Sequence, residues 1–305
     1  MDHLNDWLDE WLLELAAGRP GNETIRVYRR SVDQFLTWLR TAYPAVTMPA
    51  DLTHAHVRDW FAHLVDKGMA DSTRRVRGIA VRKWLGYVAA EPDSGLEHNP
   101  AARLELPMPQ PEPVPVISDD DLSTLLRSMS GGTFVDRRDT AIVRVLLDCG
   151  LRRAELVGIN VEHLDVRHQT VTVTGKGSKV RAVPFGGRTA LALRKYMRAR
   201  AQRPQANGSA LFLSTRADRP GARVTGGGVA EMLSRRAEAA GLTHLHPHQF
   251  RHTWAADLKG ANMSDDQLER LAGWTTPTMS RRYGSHVADE QAREAARRLA
   301  RGDRL

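Results

Sequence analysis

Between positions 246 and 252 the chain reads HPHQFRH, placing His246, His248, His252 and Arg251 within seven residues at the start of an amphipathic stretch. His248 and His252 are four apart and share one face of a helix, the spacing of a zinc-binding pair. A catalytic zinc needs a third protein ligand and commonly a carboxylate base. The glutamate of a His-Glu-x-x-His motif is missing here, and His246 could serve only if Pro247 turned the chain back. Arg251, three residues after His248, falls on the same side of the helix. A histidine and an arginine at a helix N-terminus suit an oxyanion better than a metal, so no metal is expected. The plain alternative is a helix start with one buried, hydrogen-bonded histidine.

Three other stretches carry chemistry-capable residues. In CGLRRAELVGI (149–159) an arginine pair follows a glycine, with Glu155 three residues past Arg152 and apolar sequence on both sides. An arginine emerging from a buried segment needs an assigned partner. Arg152 and Arg251 together would supply two guanidinium forks to a phosphate in its trigonal-bipyramidal state. The stretch TGKGSK offers Lys176 and Lys179 at a turn. It is not a Walker loop, because Lys176 is followed by glycine rather than Ser or Thr. Lys176 reads either as an exposed turn lysine or as a mobile lysine reaching a DNA groove. Last, LAGWTTPTMSRRYGSH (271–286) contains Trp274 and Tyr283, the latter one of only five tyrosines and flanked by two arginines.

The elements that must hold these residues follow from periodicity. Leu4, Trp7, Leu8, Trp11, Leu12 and Leu15 stripe a first helix that Gly18 and Pro20 stop. A second follows Asn22, with Ile25, Tyr28, Val32, Phe35, Leu36 and Leu39 on one face. A third uses Val57, Trp60, Phe61 and Leu64, and a fourth turns Val76, Ala80, Trp84 and Tyr87 inward. Its remaining positions include Arg74, Arg75, Arg77, Arg82 and Lys83, read as a basic face for a DNA groove; Lys179 is added to these as a DNA contact. Residues 1–98 are thus expected to form a four-helix all-α domain. Residues 99–117 form a linker, because alternating prolines favour an extended connector. Residues 118–305 form a second, mostly helical domain with a small antiparallel sheet, since 170–185 alternates β-branched and polar residues about a glycine turn. Helices are expected over 119–129, 137–149, 154–157, 188–202, 227–240, 247–259, 265–272 and 287–300. The fold class is mainly α, with an α+β second domain.

Composition narrows the partner. The formal charge is +8, with 13 Lys+Arg against 15 Asp+Glu in residues 1–108 and 31 against 21 in the remainder. Such basicity favours a polyanion. No apolar run is long enough to span a bilayer and the N-terminus has no signal core, so a cytoplasmic protein without a membrane partner is expected. One cysteine, Cys149, excludes an internal disulfide and a thiolate metal cluster.

The motifs, in this order and spacing, resemble the tyrosine recombinase (phage integrase) family. Arg152 in GLRRAEL and Arg251 in HQFRH match the family's two arginines, and Lys176 matches its hairpin lysine. His248 matches its His-x-x-Arg histidine, Trp274 its histidine-or-tryptophan position and Tyr283 its nucleophile. The resemblance implies an N-terminal core-binding (SAM-like) domain, a catalytic domain, and cleavage of DNA through a 3′-phosphotyrosyl bond without cofactor. Its implied partners are double-stranded DNA with paired core sites, a homotetramer joined by the C-terminal tail, and an accessory directionality factor. Xer-type resolvases carry histidine at the position of Trp274, and the chain starts at the core-binding helices without an arm-binding domain. Both features lead us to expect the integrase of a phage or mobile element. A Xer-type chromosome or plasmid dimer resolvase is the alternative, and a DNA-binding regulator without activity stands third. A type IB topoisomerase shares the chemistry, but not this layout.

Overall fold

The computed structural model describes residues 3–18, 21–108, 115–175, 179–203, 208–216 and 220–274, with Arg293, Arg297 and Arg298. Lys176, Tyr283 and most of the tail helix expected at 287–300 lie outside the described residues. The chain divides into two compact units, 1–111 and 112–305.

In the first unit, α1 (His3–Ala17), α2 (Asn22–Ala42), α3 (His54–Asp66) and α4 (Asp71–Val88) surround an aromatic centre. Phe35 meets Trp60 edge-on at 5.1 Å and Trp84 at 6.3 Å, the geometry that the ring quadrupoles favour. The expected stripes of α1 to α3 are mostly buried: Leu4, Leu8, Trp11 and Leu12 on α1, Val32, Phe35, Leu36 and Leu39 on α2, and all four positions on α3. On α4, Ala80 and Trp84 point inward as expected, but Val76 is 42% exposed. Buried Gly78 takes an inward place instead, where an added Cβ would overlap Leu106.

The basic residues expected to face a DNA groove from α4 are partly engaged within the first unit. Arg82 donates from Nε to the Ala101 carbonyl (3.2 Å) and from Nη2 to that of Leu104. Arg75 donates to the Pro107 carbonyl at 3.1 Å. Arg74 pairs with Asp71 and bonds the Met69 carbonyl at 3.2 Å, Arg77 meets the Met69 sulfur, and Lys83 sits 5.6 Å over the Tyr28 ring. Positions 74, 75, 77, 82 and 83 point in several directions around a 3.6-residue helix, and two of these arginines fasten the chain that follows it.

In the second unit, α5 (Asp119–Ser128) is followed by α6 (Phe134–Cys149), which packs against α8 (Gly187–Ala201) and α10 (Pro247–Gly260). Thr133 caps α6 by accepting the Asp136 N–H at 3.1 Å, so this helix starts three residues earlier than periodicity indicates. The short α7 (Arg153–Gly158) leads to β1 (Leu164–Asp165), β2 (Thr170–Thr174) and β3 (Val180–Pro184), an antiparallel sheet in that order. Thr170 pairs with Pro184 and Thr174 with Val180, the expected hairpin; Val171, Val173 and Val183 are buried on one face. β1 is too short to show in the sequence pattern. The unit continues with α9 (Gly226–Ala239), and α11 (Asp265–Ala272) follows α10. A buried ion network ties α6 to α9: Asp139 accepts from Arg138 at 2.7 Å and Arg236 at 2.9 Å.

Candidate active site

The site forms where α6 ends. Gly150 closes that helix with φ +54°, a left-handed conformation that glycine adopts without strain, and an added Cβ would overlap the Trp254 indole of α10. This sharp stop sends Leu151 inward and leaves Arg152 at the N-cap of α7.

Glu155, in the first turn of α7, is the hub. Its side chain is 3% exposed, and it accepts the Arg152 main-chain N–H at 2.8 Å and Arg152 Nη1 at 2.9 Å. Arg181 of β3 straddles the same carboxylate, Nη1 on Oε1 and Nη2 on Oε2, both at 2.9 Å. Arg251 Nη1 lies 3.9 Å from Oε2. Burial by itself would raise the Glu155 pKa; the hydrogen bonds from Arg181 and then from the Arg152 main chain outweigh it, holding the carboxyl below the usual glutamate range.

The same three arginines meet the C-terminal turn of α11, whose last carbonyls have no partner within the helix and form the negative end of its dipole. Arg181 Nε donates to the Leu271 carbonyl at 2.8 Å, Arg251 Nη2 to that of Ala272 at 2.7 Å and Arg152 Nη2 to that of Gly273 at 3.4 Å. Three consecutive carbonyls thus receive three different guanidiniums. The next residue, Trp274, is buried, with its indole 5.2 Å from the Arg251 guanidinium. Arg251 is itself 1% exposed and also donates to the Gly150 carbonyl at 2.6 Å.

The histidines divide into two pairs. His246 caps α10, its N–H bound by Gln249 Oε1 at 2.7 Å, and its ring packs on His244 at 4.3 Å. It therefore faces away from the role of third ligand beside His248. His248 is exposed in the first turn, with its ring edge-on to buried His252 at 4.4 Å. Among the described residues, no group of three His, Cys, Asp or Glu side chains is placed to hold a metal ion.

Of the residues expected to act together, the structure brings Arg152, Arg251 and Trp274 into contact through Glu155 and the end of α11, with His248 on the α10 helix that supplies Arg251. The turn bearing Lys176 is closed by the Gly175 N–H on the Lys179 carbonyl at 2.7 Å, and the Lys179 side chain is exposed. Sequence reasoning missed Arg181. Its only signal was a charged residue in the strand KVRAVPF beside buried Val183.

The arrangement gathers three arginines about one buried carboxylate. It can bind an oxyanion through Arg152 and stabilise added negative charge. Residues 115–290 match the phage integrase family, and residues 8–91 match its N-terminal SAM-like domain. The chain is 32% identical over 302 residues to tyrosine recombinase XerC of Chromohalobacter salexigens, covering 96% of this chain and 98% of that one. It is 31% identical to tyrosine recombinase XerC of Corynebacterium glutamicum, covering 93% and 87%. Among solved structures, the Tn1549 transposon integrase in complex with a circular intermediate DNA shares the fold with TM-score 0.75 and 18% identity, covering 98% of this chain and 100% of that one. The XerH site-specific recombinase bound to palindromic difH substrate does so with TM-score 0.70 and 17% identity, covering 89% and 78%.

Proposed function

From the premise that this chain belongs to the phage integrase family, and is therefore a tyrosine recombinase acting on DNA at specific sites, we propose that it is a Xer-type recombinase that resolves or exchanges paired core sites. The convergence of Arg152 and Arg251 on Glu155, at the helix end that runs into Trp274, is the observation that carries the chemistry. Tyr283, nine residues after Trp274, attacks the scissile phosphodiester. Its oxygen forms the 3′-phosphotyrosyl bond as the bond to the 5′-oxygen breaks. Arg152 and Arg251 bind the equatorial oxygens of the pentacoordinate phosphorus. Lys176 gives its proton to the departing 5′-oxygen, a contribution on the order of 10²–10⁴-fold. His248 acts as base or donates to a phosphate oxygen, and Trp274 buttresses the segment that carries the nucleophile. The linkage preserves the phosphodiester's free energy, so religation needs no nucleotide.

The Xer-type reading replaces the mobile-element integrase as first choice because the full-length similarity to XerC proteins extends over both chains. Trp274 in place of the Xer histidine is the observation that keeps the integrase reading second. Residues 1–98 serve as the core-binding domain, 99–117 as the linker and 118–305 as the catalytic domain. The tail beyond Tyr283, where Ala288, Ala292, Ala295 and Ala296 fall at helical spacing, joins neighbouring protomers into a synaptic tetramer.

A duplex recovered by selection from random-sequence DNA, then nicked beside the cleavage position, tests this reading. Wild type is expected to form a covalent adduct that Tyr283→Phe abolishes while still binding the duplex. Binding by wild type without an adduct would favour a regulator. The recovered sequence separates the two recombinase readings: a Xer-type enzyme matches one chromosomal site away from its gene, an integrase the ends of an element that contains it.

A further inference from the structure

We infer that Arg181 is a positioning residue of the recombination site, an anchor that holds Glu155 and the end of α11 while Arg152 engages the phosphate. The inference rests on the recombinase reading above. Each of the three Arg181 guanidinium nitrogens already donates: two to the Glu155 carboxylate and Nε to the Leu271 carbonyl. Its side chain is 12% exposed. It is therefore committed to protein acceptors and poorly placed to meet a substrate. Arg152 contrasts with it: its side chain is 36% exposed, and Nη2 has only a 3.4 Å bond to the Gly273 carbonyl, at the weak end of hydrogen-bond geometry. An incoming phosphate oxygen is a stronger, charged acceptor, so Arg152 can exchange the Gly273 carbonyl for it. Arg181 keeps the helix end in place when that exchange occurs.

Three elements meet at this one side chain. β3 follows the turn that carries Lys176, α7 carries Glu155 behind Arg152, and α11 leads into Trp274 and the nucleophile's segment. Space for the guanidinium comes from two glycines. A Cβ on Gly273, where φ is +65°, would lie 2.9 Å from Arg181 Nη1, and one on Gly175 would lie 3.3 Å from it. A substituent at Gly273 would make the guanidinium shift, and one at Gly175 would crowd it.

The charged groups facing Glu155 among the described residues are Arg152 from α7, Arg181 from β3 and Arg251 from α10; α11 presents main-chain carbonyls. Without Arg181, burial of Glu155 is opposed by fewer partners and its carboxyl takes up a proton at higher pH. A protonated Glu155 no longer orients Arg152.

The test compares wild type, Arg181→Ala and Arg181→Lys on the same nicked duplex. Single-turnover cleavage would be followed from about pH 4 to about pH 9, spanning the carboxylate and histidine ranges, with DNA affinity and thermal unfolding measured alongside. Arg181→Ala is expected to bind DNA nearly as wild type does but cleave about 10²-fold more slowly, as a displaced reacting geometry does. The acid limb of its profile should move to higher pH. Arg181→Lys should return the acid limb toward that of wild type yet stay slower, because one ammonium cannot both straddle a carboxylate and reach Leu271. Cleavage at the wild-type rate, a loss equal at every pH, or a loss of DNA binding in step with cleavage would each overturn the inference. If Arg181→Ala does not fold, the lysine variant decides by the same criteria. Absence of an adduct with wild type would sink the recombinase reading itself, whereas normal cleavage by both variants would sink only the role of Arg181.

Discussion

Glu155 shows how much can depend on one carboxylate. It neutralises part of a three-arginine cluster and holds Arg152 by both main chain and side chain. Because its pKa is depressed in the folded protein, its stabilising contribution is fully present above the ordinary glutamate value, about 4.3. That contribution is lost as pH falls through the lower folded value. Glu155→Gln keeps the size and removes the charge, leaving buried guanidinium groups uncompensated. Breaking such a pair costs roughly 3–5 kcal/mol. Thermal unfolding should therefore show the variant well below wild type at pH 7, with the gap closing under acid conditions. A gap that stays constant with pH would mean that Glu155 acts through shape alone. Trp274 came from the family resemblance, whereas Arg152 and Glu155 were legible because they stand between apolar flanks and Arg251 because it falls three residues after His248. Arg181 was not, since its importance lies in contacts with Glu155 and Leu271, 26 and 90 positions away.

At the scale of elements, the junction between α6 and α7 decides where the first arginine points. The sequence CGLRR marks a helix stop, and Gly150 performs it in the left-handed region while touching Trp254. Gly150→Ala meets both a backbone penalty and an overlap with the indole, each about 1–3 kcal/mol. The expected result is a clear loss of thermal stability together with slower cleavage, because α10 carries both Trp254 and Arg251. Unchanged unfolding temperature would show that the junction relaxes without consequence. Helix stripes were readable on α1, α2 and α3, where 3.6-residue periodicity maps directly onto burial. They misled on α4, where Val76 is exposed and Gly78 is inside, because the choice of inward face there follows from the packing of Leu106 and Phe61.

At the scale of the whole molecule, each unit has its own main apolar core among the described residues, an aromatic one in 1–111 and a mostly aliphatic one built on α6 in 112–305, with a smaller cluster of Trp254, Ala255, Leu268, Ala272 and Trp274 beside the latter. Each is large enough to fold alone. Fragments 1–111 and 112–305 should therefore each unfold cooperatively when produced separately. A fragment that lacks a cooperative transition would show that its core needs the other unit. Among the described residues no helix is long and apolar enough to cross a membrane.

The sequence by itself determined the helical periodicities and the hairpin, because spacing along a helix or strand is a local property of the chain, and its resemblance to the family implied the ordered set Arg152, Lys176, His248, Arg251, Trp274 and Tyr283. It also carried the excess positive charge of the second unit. The tertiary structure alone decided that Arg75 and Arg82 bond the carbonyls of Pro107 and Ala101, that His246 turns to His244, and that Arg181 shares one buried carboxylate with Arg152. Those outcomes depend on which distant acceptors come within about 3 Å, the reach of a hydrogen bond, and only folding brings such partners together.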